Sequence, residues 1–552
     1  MKKVKIIIIL ALGFFTFNAC ETLELDNLES PNALNPSQAN VDLYMNGTQV
    51  RFAFFVNGIG SFGSALTRVT NMFGRSYPDV YGPSTFNGTW NTAYSIIKDL
   101  REMRILAEES GQSKHIGVAK VIEAYVMIAL VDHFGDVPYS EAFDVTNLNP
   151  APDSGEAIYA AVRVLLDEAI TDLQAEGGGR LANDLYYNNN FGRWVKAANT
   201  LKMKTFITTR LVDGGAIAAF EALVAQDNYI KTPAENFVFN WGSNLDNPNS
   251  RHPFYNGAYA PGGTSGYRSN WLLNVMKNEY AVTDPRMRFY FYRQVSDVRR
   301  NVDPAAAAQL RCILEPIPAH YEAGDHVFCV IPDDQGYWGR DHGDNSGIPP
   351  DAFLKTAWGL YPAGGRFDDN SFARIDGNNY GAEGAGITPI MLAATVDFWR
   401  AEAVLAGGGS GDASAHLANG VTKSINYVKS FISRNPGANA EFVPDAERTT
   451  AYVADVVSQF TGANGQGKFD VLGEQLFISV YGNGIEAYNY YRRTGAPSDI
   501  QPNIEPNPGP FVRSFWYPAN EVSANASINQ KETIAKRVFW DTNPQTGFPP
   551  NN

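Results

Sequence analysis

A mainly α-helical fold with one large loop-rich half is what this sequence predicts. Three observations predict it. Before about residue 213, apolar residues recur three and four apart, the pattern of helices with one buried face. The pattern returns at Thr388 and runs to about 495. Between these regions, about 230–385, the chain is rich in Gly, Pro, Asn, Asp and aromatics and carries few helical stripes. A stretch this long without regular structure inside a compact protein usually carries function. Residues 41–552 are therefore read as a single domain, with its helical scaffold at about 90–213 and 388–495 and the loop-rich insertion between them.

Taken in order, the chain opens with MKKVKIIIILALGFFTFNAC. Lys2, Lys3 and Lys5 precede an apolar run from Ile6 to Phe17. That run is short of the ~20 residues of a membrane span and has the form of a secretory signal, residues 1–19. Phe17-Asn18-Ala19-Cys20 resembles a bacterial lipobox, which makes Cys20 the expected lipidation site and mature N-terminus. Several acyl chains would anchor firmly where one binds weakly, at ~0.8 kcal/mol per buried CH₂. Residues 20–40 then read as an acidic tether.

After Trp90, the positions Ala93, Ile96, Leu100, Met103 and Ala107 make one helix face. A polar turn leads to a second helix from about Lys114 to Phe134. Asp153 with Glu156 looks like a capping box, followed by the stripe Ile158, Val162, Leu165, Ala169 and Leu173. A fourth helix starts near Arg193, with Trp194, Ala198, Leu201, Thr205, Thr208 and Val212 on its buried side. These antiparallel pairs have tetratricopeptide size. One helix, near Arg268–Tyr280, interrupts the loop-rich part. Thr388-Pro389 reads as N-cap and N1 of the next helix. Further helices fit 412–433, 446–461 and 466–480. GIEAYNYYRR stops at Gly495, with two arginines near its negative end.

VDHFGDVPYSEAF (131–143) holds a histidine, three carboxylates, a tyrosine and a serine, the parts of an active site. It reads better as a helix end. His133 suits the last turn, Gly135 the C′ position and Pro138 the stop. Asp136 and Ser140 suit bonds to backbone in the exit turn.

Charge and composition narrow the function. The 552-residue chain has a net charge of −14 and no long basic run, which argues against a nucleic-acid partner. No GxSxG, HExxH or P-loop is present. Cys312 and Cys329 lie outside metal-ligand spacings. In an exported protein they form a local disulfide or stay as two buried thiols. Asp333, Asp334, Asp341, Asp344 and Asn345 offer oxygens for Ca²⁺ but miss the EF-hand spacing, so no metal or other cofactor is expected.

Several stretches together resemble the SusD/RagB family of Bacteroidetes outer-membrane nutrient-binding lipoproteins. They are the lipobox, AYVMIALVDHFGDVPYSEAF, GRWVKAANTLKMKTFITTRL, FWRAEAVL, VYGNGIEAYNYYRRTGAP and RSFWYPANEVSANASI, in that order along the chain. The resemblance implies an α fold with four tetratricopeptide-like helix pairs supporting a variable, loop-rich binding half. It implies a lipid-anchored protein exposed on the outer membrane of a Bacteroidetes-type bacterium. Such a protein performs no chemistry. It captures oligosaccharides or polysaccharide fragments, or in some members oligopeptides, and passes them to a SusC-like, TonB-dependent outer-membrane transporter.

A sugar site wants aromatic faces beside polar edges. Three stretches supply both. The first offers Phe73, Arg75, Tyr77, Asp79, Tyr81 and Asn87. The second offers Trp241, Asn244, Arg251, Tyr255, Asn256, Tyr259 and Trp271. The third offers Tyr337, Trp338, Arg340 and Asp341. A surface glycoside hydrolase is the enzymatic alternative. It needs two carboxylates ~5–9.5 Å apart, and sequence cannot place such a pair.

Overall fold

A computed structural model describes residues 40–296, 312, 315–329, 331–332, 335–346, 351–544 and 546–549. The signal segment, Cys20, most of the acidic tether, Asp333 and Asp334 lie outside the described residues. Helices dominate what is described, as the mainly α expectation requires. In chain order they begin with α1 (Val41–Leu66), α2 (Asn87–Glu109), α3 (Ser113–Phe134), α4 (Gly155–Gln174), α5 (Phe191–Thr209) and α6 (Ala216–Gln226). Short helices α7 (Pro253–Ala258) and α8 (Asn270–Asn278) follow in the loop-rich half. Then come α9 (Ala393–Leu405), α10 (Ala413–Ser430), α11 (Ala446–Gly462), α12 (Gln466–Ser479), α13 (Ile485–Thr494) and α14 (Ala519–Ala524).

Successive helices pack as neighbours: α2 on α3, α3 on α4, α4 on α5, α9 on α10 and α11 on α12. Helix α3 is the centre. From Lys114 to Phe134 every residue but Lys120 is buried, which suits a helix apolar on nearly all sides. The predicted stripe of α2 is buried in full. In α4 the buried position is Leu166, with Leu165 at the margin. Val212 falls beyond the end of α5 and is 45% exposed.

Two local expectations are corrected. Ser154, not Asp153, caps α4, accepting from Ala157 N at 3.2 Å. Asp153 instead accepts from the amides of Tyr139 and Ser140, both at 2.9 Å. Thr388-Pro389 does not start a helix. Ile387–Met391 is strand β4, paired antiparallel with β1 (Phe237–Asn240). Proline is tolerated there because each strand of a two-stranded ribbon is an edge, and α9 begins only at Ala393. His133 sits in the last turn of α3, as expected, as a neutral polar group. Burial, then repulsion from Arg492, pushes it down to about 3, and its Nδ1 lies 2.7 Å from Ala129 O. A second short ribbon pairs β2 (Phe291–Tyr292) with β3 (Ala357–Trp358). Cys312 and Cys329 form a disulfide, with Cα atoms 5.5 Å apart.

The 131–143 stretch proves to be a structural hub. Asp132 is fully buried at the end of α3. Its carboxylate accepts from Tyr159 Oη, from Trp540 Nε1 at 3.0 Å, from Lys204 Nζ at 3.1 Å and from Asn489 Nδ2 at 2.7 Å. It thereby joins α3, α4, α5, α13 and the C-terminal segment. Asp136 reaches forward to Gly155 N at 2.9 Å, at the start of α4, not into its own turn. Ser140 donates to Asp153 and Glu141 accepts from Asn147.

Candidate functional site

The C-terminal end of α1 and the loop-rich half meet around a cleft of about 600 Å³. This is within the ~300–1,000 Å³ range of small-ligand sites. One wall is Ser61 and Ser64 of α1 with Thr70, Asn71 and Phe73 of the segment after it. The other walls are Phe254 of α7, the 264–268 loop, Lys355 and Trp358 of β3. Gly482, between α12 and α13, completes the lining.

The loop is shaped by glycine. In PGGTSG, residues 261–266, Gly262, Gly263 and Gly266 all have positive φ (91°, 100° and 66°), a region that glycine enters without steric cost. At Gly263 a Cβ would stand 2.7 Å from that of Ala352, so the close approach also excludes a side chain. Thr264 N donates to Ala352 O at 3.2 Å and pins the loop to the segment leading into β3. The chain then enters α8, capped by Ser269. The third aromatic stretch runs alongside. Arg340 N donates to Arg268 O at 2.8 Å and Asn270 N to Arg340 O at 2.9 Å.

Four aromatic residues line the cleft. Phe73 is 51% exposed at its rim. Phe254 stacks on Trp358 at 4.6 Å and 15°. Tyr267 donates to Asp351 Oδ2 at 2.8 Å. Cations sit against these rings. The guanidinium of Arg268 is 4.2 Å from the Trp358 ring centre. Arg340 is 4.2 Å from that of Tyr267 and 5.8 Å from that of Phe73. Lys355 Nζ is 4.4 Å from the Tyr267 ring and 3.7 Å from Asp351 Oδ1. Burial holds the Arg268 guanidinium below its ordinary pKa. Lys355 is lowered too, first by burial, with Arg268 and Arg340 opposing its charge and Asp351 favouring it. The cleft thus combines flat apolar faces with an excess of buried positive charge.

Of the residues singled out in the sequence, only Phe73 of the named candidates lines this cleft. Burial corrects several others. Tyr77 is wholly buried, with its hydroxyl 3.2 Å from His342 Nε2. Tyr81 is buried and stacks on Phe515. Trp241 donates to Thr388 Oγ1 at 2.9 Å and packs on Phe239. Tyr259 donates to Trp358 O at 2.6 Å and stacks on Tyr255, so it supports the cleft from behind. Trp338 is tied to Thr356 by reciprocal bonds of 2.8 and 2.9 Å. Tyr337 lies under Arg293. Trp271 lines a separate, smaller recess with Glu279, His326 and Asp499. Arg75 is held by Asn345 at 3.0 Å. Asn87 accepts from Asn520 N at 3.2 Å. Asp79 is exposed, away from the lining. Asp341 serves as an internal anchor. It accepts from Asn270, Gln501 and the amide of Cys329, and burial pushes it up to about 6.

Phe254, Thr264, Tyr267 and Arg268 fall within the second aromatic stretch, 241–271, but were not singled out in it, and Lys355 and Trp358 lie outside all three stretches. All belong to the loop-rich half, which is dense in aromatics and glycine, and nothing local distinguishes them from buried neighbours of the same types.

A second groove of about 570 Å³ lies between α2, the 138–150 loop and α14. Its aromatic polar groups are already engaged. Trp90 Nε1 donates to Glu521 Oε2 at 3.2 Å and Tyr94 Oη to Pro138 O at 2.7 Å. Among the described residues no cluster of metal-ligating side chains occurs, and no helix is long and apolar enough to cross a membrane.

Comparison with known proteins covers most of the chain. The profile of a family described as "Starch-binding associating with outer membrane" matches residues 61–304. That of a family described as "Susd and RagB outer membrane lipoprotein" matches residues 377–541. Among solved structures, a chitin-binding protein is 19% identical with a TM-score of 0.64, over 91% of this chain and 100% of its own. A SusD/RagB family protein from Bacteroides thetaiotaomicron is 20% identical with a TM-score of 0.64, over 92% and 100%. A SusD homolog from Bacteroides fragilis is 18% identical, again at 0.64, over 91% and 99%. Identities this low carry the fold alone. A comparison with curated protein sequences finds no match.

Proposed function

The chain belongs to the SusD/RagB family of outer-membrane lipoproteins, and from that membership and the geometry of the cleft we propose that it is a surface glycan-binding protein. Tethered through Cys20, it captures oligosaccharide or polysaccharide fragments and delivers them to a TonB-dependent, SusC-like transporter. It binds and does not cleave. The observation that carries this reading is the cleft itself. Phe73, Phe254 and Trp358 line it, and sugar rings present apolar faces to such side chains while their hydroxyls seek polar edges. Ser61, Ser64, Asn71 and Thr264 supply those edges.

The test uses the chain with Cys20→Ala, free of lipid, on affinity gels containing a panel of polysaccharides. Retardation by at least one of them is expected, and its loss in Phe73→Ala and Trp358→Ala. Binding of oligopeptides with no glycan binding would replace glycan by peptide as the ligand. Turnover of a glycoside would sink the binding-protein reading. Delivery predicts that the lipidated protein, purified in detergent from its own outer membrane, brings a β-barrel transporter with it.

A further inference from the structure

Arg268 is a buried cation without a counter-charge. It is 5% exposed, and its Nε and Nη1 are buried with no hydrogen-bond partner. The hydroxyl of Tyr481 is close enough to influence it but is neutral and outside hydrogen-bond geometry. Among the described residues no carboxylate pairs with it.

The other buried arginines differ. Arg286 holds Asp284 at 2.6 Å, Arg293 holds Asp368 at 2.6 Å and Arg493 holds Glu402 at 2.6 Å. Arg513 bonds Asp541 at 2.6 Å. Arg68, Arg251 and Arg492 donate to main-chain carbonyls. Burying an unpaired charge is costly, and a chain with 58 acidic residues has no shortage of partners. The uncompensated position is the one that faces the cleft. Thr264, also in the lining, has its Oγ1 buried without a hydrogen-bond partner. Lys355 adds a further cation to the same lining.

We infer that the cleft takes a saccharide bearing a carboxylate, a uronic-acid residue whose acid group docks on the Arg268 guanidinium with Lys355 and Thr264 as additional donors. A planar guanidinium matches a carboxylate through two parallel bonds, while Phe73, 51% exposed at the rim, offers the sugar ring an apolar face. The inference rests on the glycan-binding reading and narrows it to acidic glycans.

The experiment is calorimetric titration of the Cys20→Ala chain with oligogalacturonate, oligoalginate and glucuronoxylan oligosaccharides. Carboxyl-reduced forms of each, and neutral malto-, cello- and chito-oligosaccharides, are run beside them. At least one uronate ligand should bind tenfold or more tighter than its reduced form. Arg268→Met should lose tenfold or more, and Arg268→Lys should fall between. The free Arg268→Met protein should melt at or above the wild-type temperature, because an unpaired buried charge has gone. A fall of several degrees would mark Arg268 as a structural residue and overturn the inference. Tight binding of a neutral glycan, unchanged in Arg268→Met, would overturn it while leaving glycan capture intact. Binding to no glycan of either kind would remove the underlying reading as well.

Discussion

Replacing Asp132 by Asn should unfold this protein more readily than any single change in the cleft. The carboxylate is fully buried and receives four donors, two on each oxygen. An amide is nearly isosteric, but one of its two polar atoms becomes an NH₂ group. That group must face either Tyr159 and Trp540 or Lys204 and Asn489, so two donors lose their acceptor. A hydrogen bond to a charged group contributes ~1.5–3 kcal/mol. Lys204 keeps only Glu486, at 2.7 Å, as a counter-charge. Together these set the loss at about 3–5 kcal/mol, the range found when one partner of a buried ion pair is removed. Urea unfolding followed by tryptophan fluorescence reads it as a lower midpoint at unchanged slope. The pH dependence adds a second check. Burial alone would raise the pKa of Asp132, but Lys204, the Tyr159 bond and Arg492 outweigh it and hold the group below its ordinary value. Its contribution is therefore complete above the unfolded pKa of ~3.9 and lost as pH falls through the depressed folded value. The gap between wild type and Asp132→Asn should close in that acid window. A variant within 1 kcal/mol of wild type at pH 7, or a gap that does not depend on pH, would refute the hub argument.

Three further outcomes are expected. Phe73→Ala should weaken glycan binding about tenfold, ~1.4 kcal/mol, with no change in melting temperature, since the ring is half exposed; an equal loss of stability would place Phe73 in the core. His133 and His252 are both held at about 3 by burial, so the unfolded chain binds protons that the folded one refuses between about pH 6.5 and 3. Stability should fall across that window by about 1.4 kcal/mol per pH unit per histidine, and His252→Gln should flatten the fall seen in melting curves. Replacing both Cys312 and Cys329 by Ser opens a closed loop with a sequence separation of 17, for which chain entropy sets a loss of up to about 3 kcal/mol. Urea midpoints with and without reductant in the wild type provide the comparison, and the double variant should respond to neither condition.

Much of the scaffold was legible because helical amphipathicity is a local property. The stripe of α2 and the bounds of α3, α11 and α12 follow from spacing alone. Helix α1 was not legible. Two of its glycines, Gly60 and Gly63, serve a contact that only the fold creates. At Gly63 a Cβ would stand 2.5 Å from Gly484 O, so α1 lies against the start of α13 without side chains between them. The pairing of β1 with β4 was equally hidden, because Phe237 and Met391 are distant in the sequence and adjacent only in the fold.

What the sequence determined by itself was the class of molecule. The order of the motifs and the periodicity of the helices are read along the chain, and each depends on neighbours within a few residues. What the tertiary structure decided was the use of individual side chains. Asp132 looked like part of an active site and became a hub. Tyr77, Tyr337 and Trp338 looked like sugar platforms and became core. Arg268 and Arg286 are the same residue type in the sequence, but one is folded onto a carboxylate and the other onto an indole facing an open cleft. Burial and the presence of a partner depend on atoms brought together from distant parts of the chain, and no local pattern encodes them.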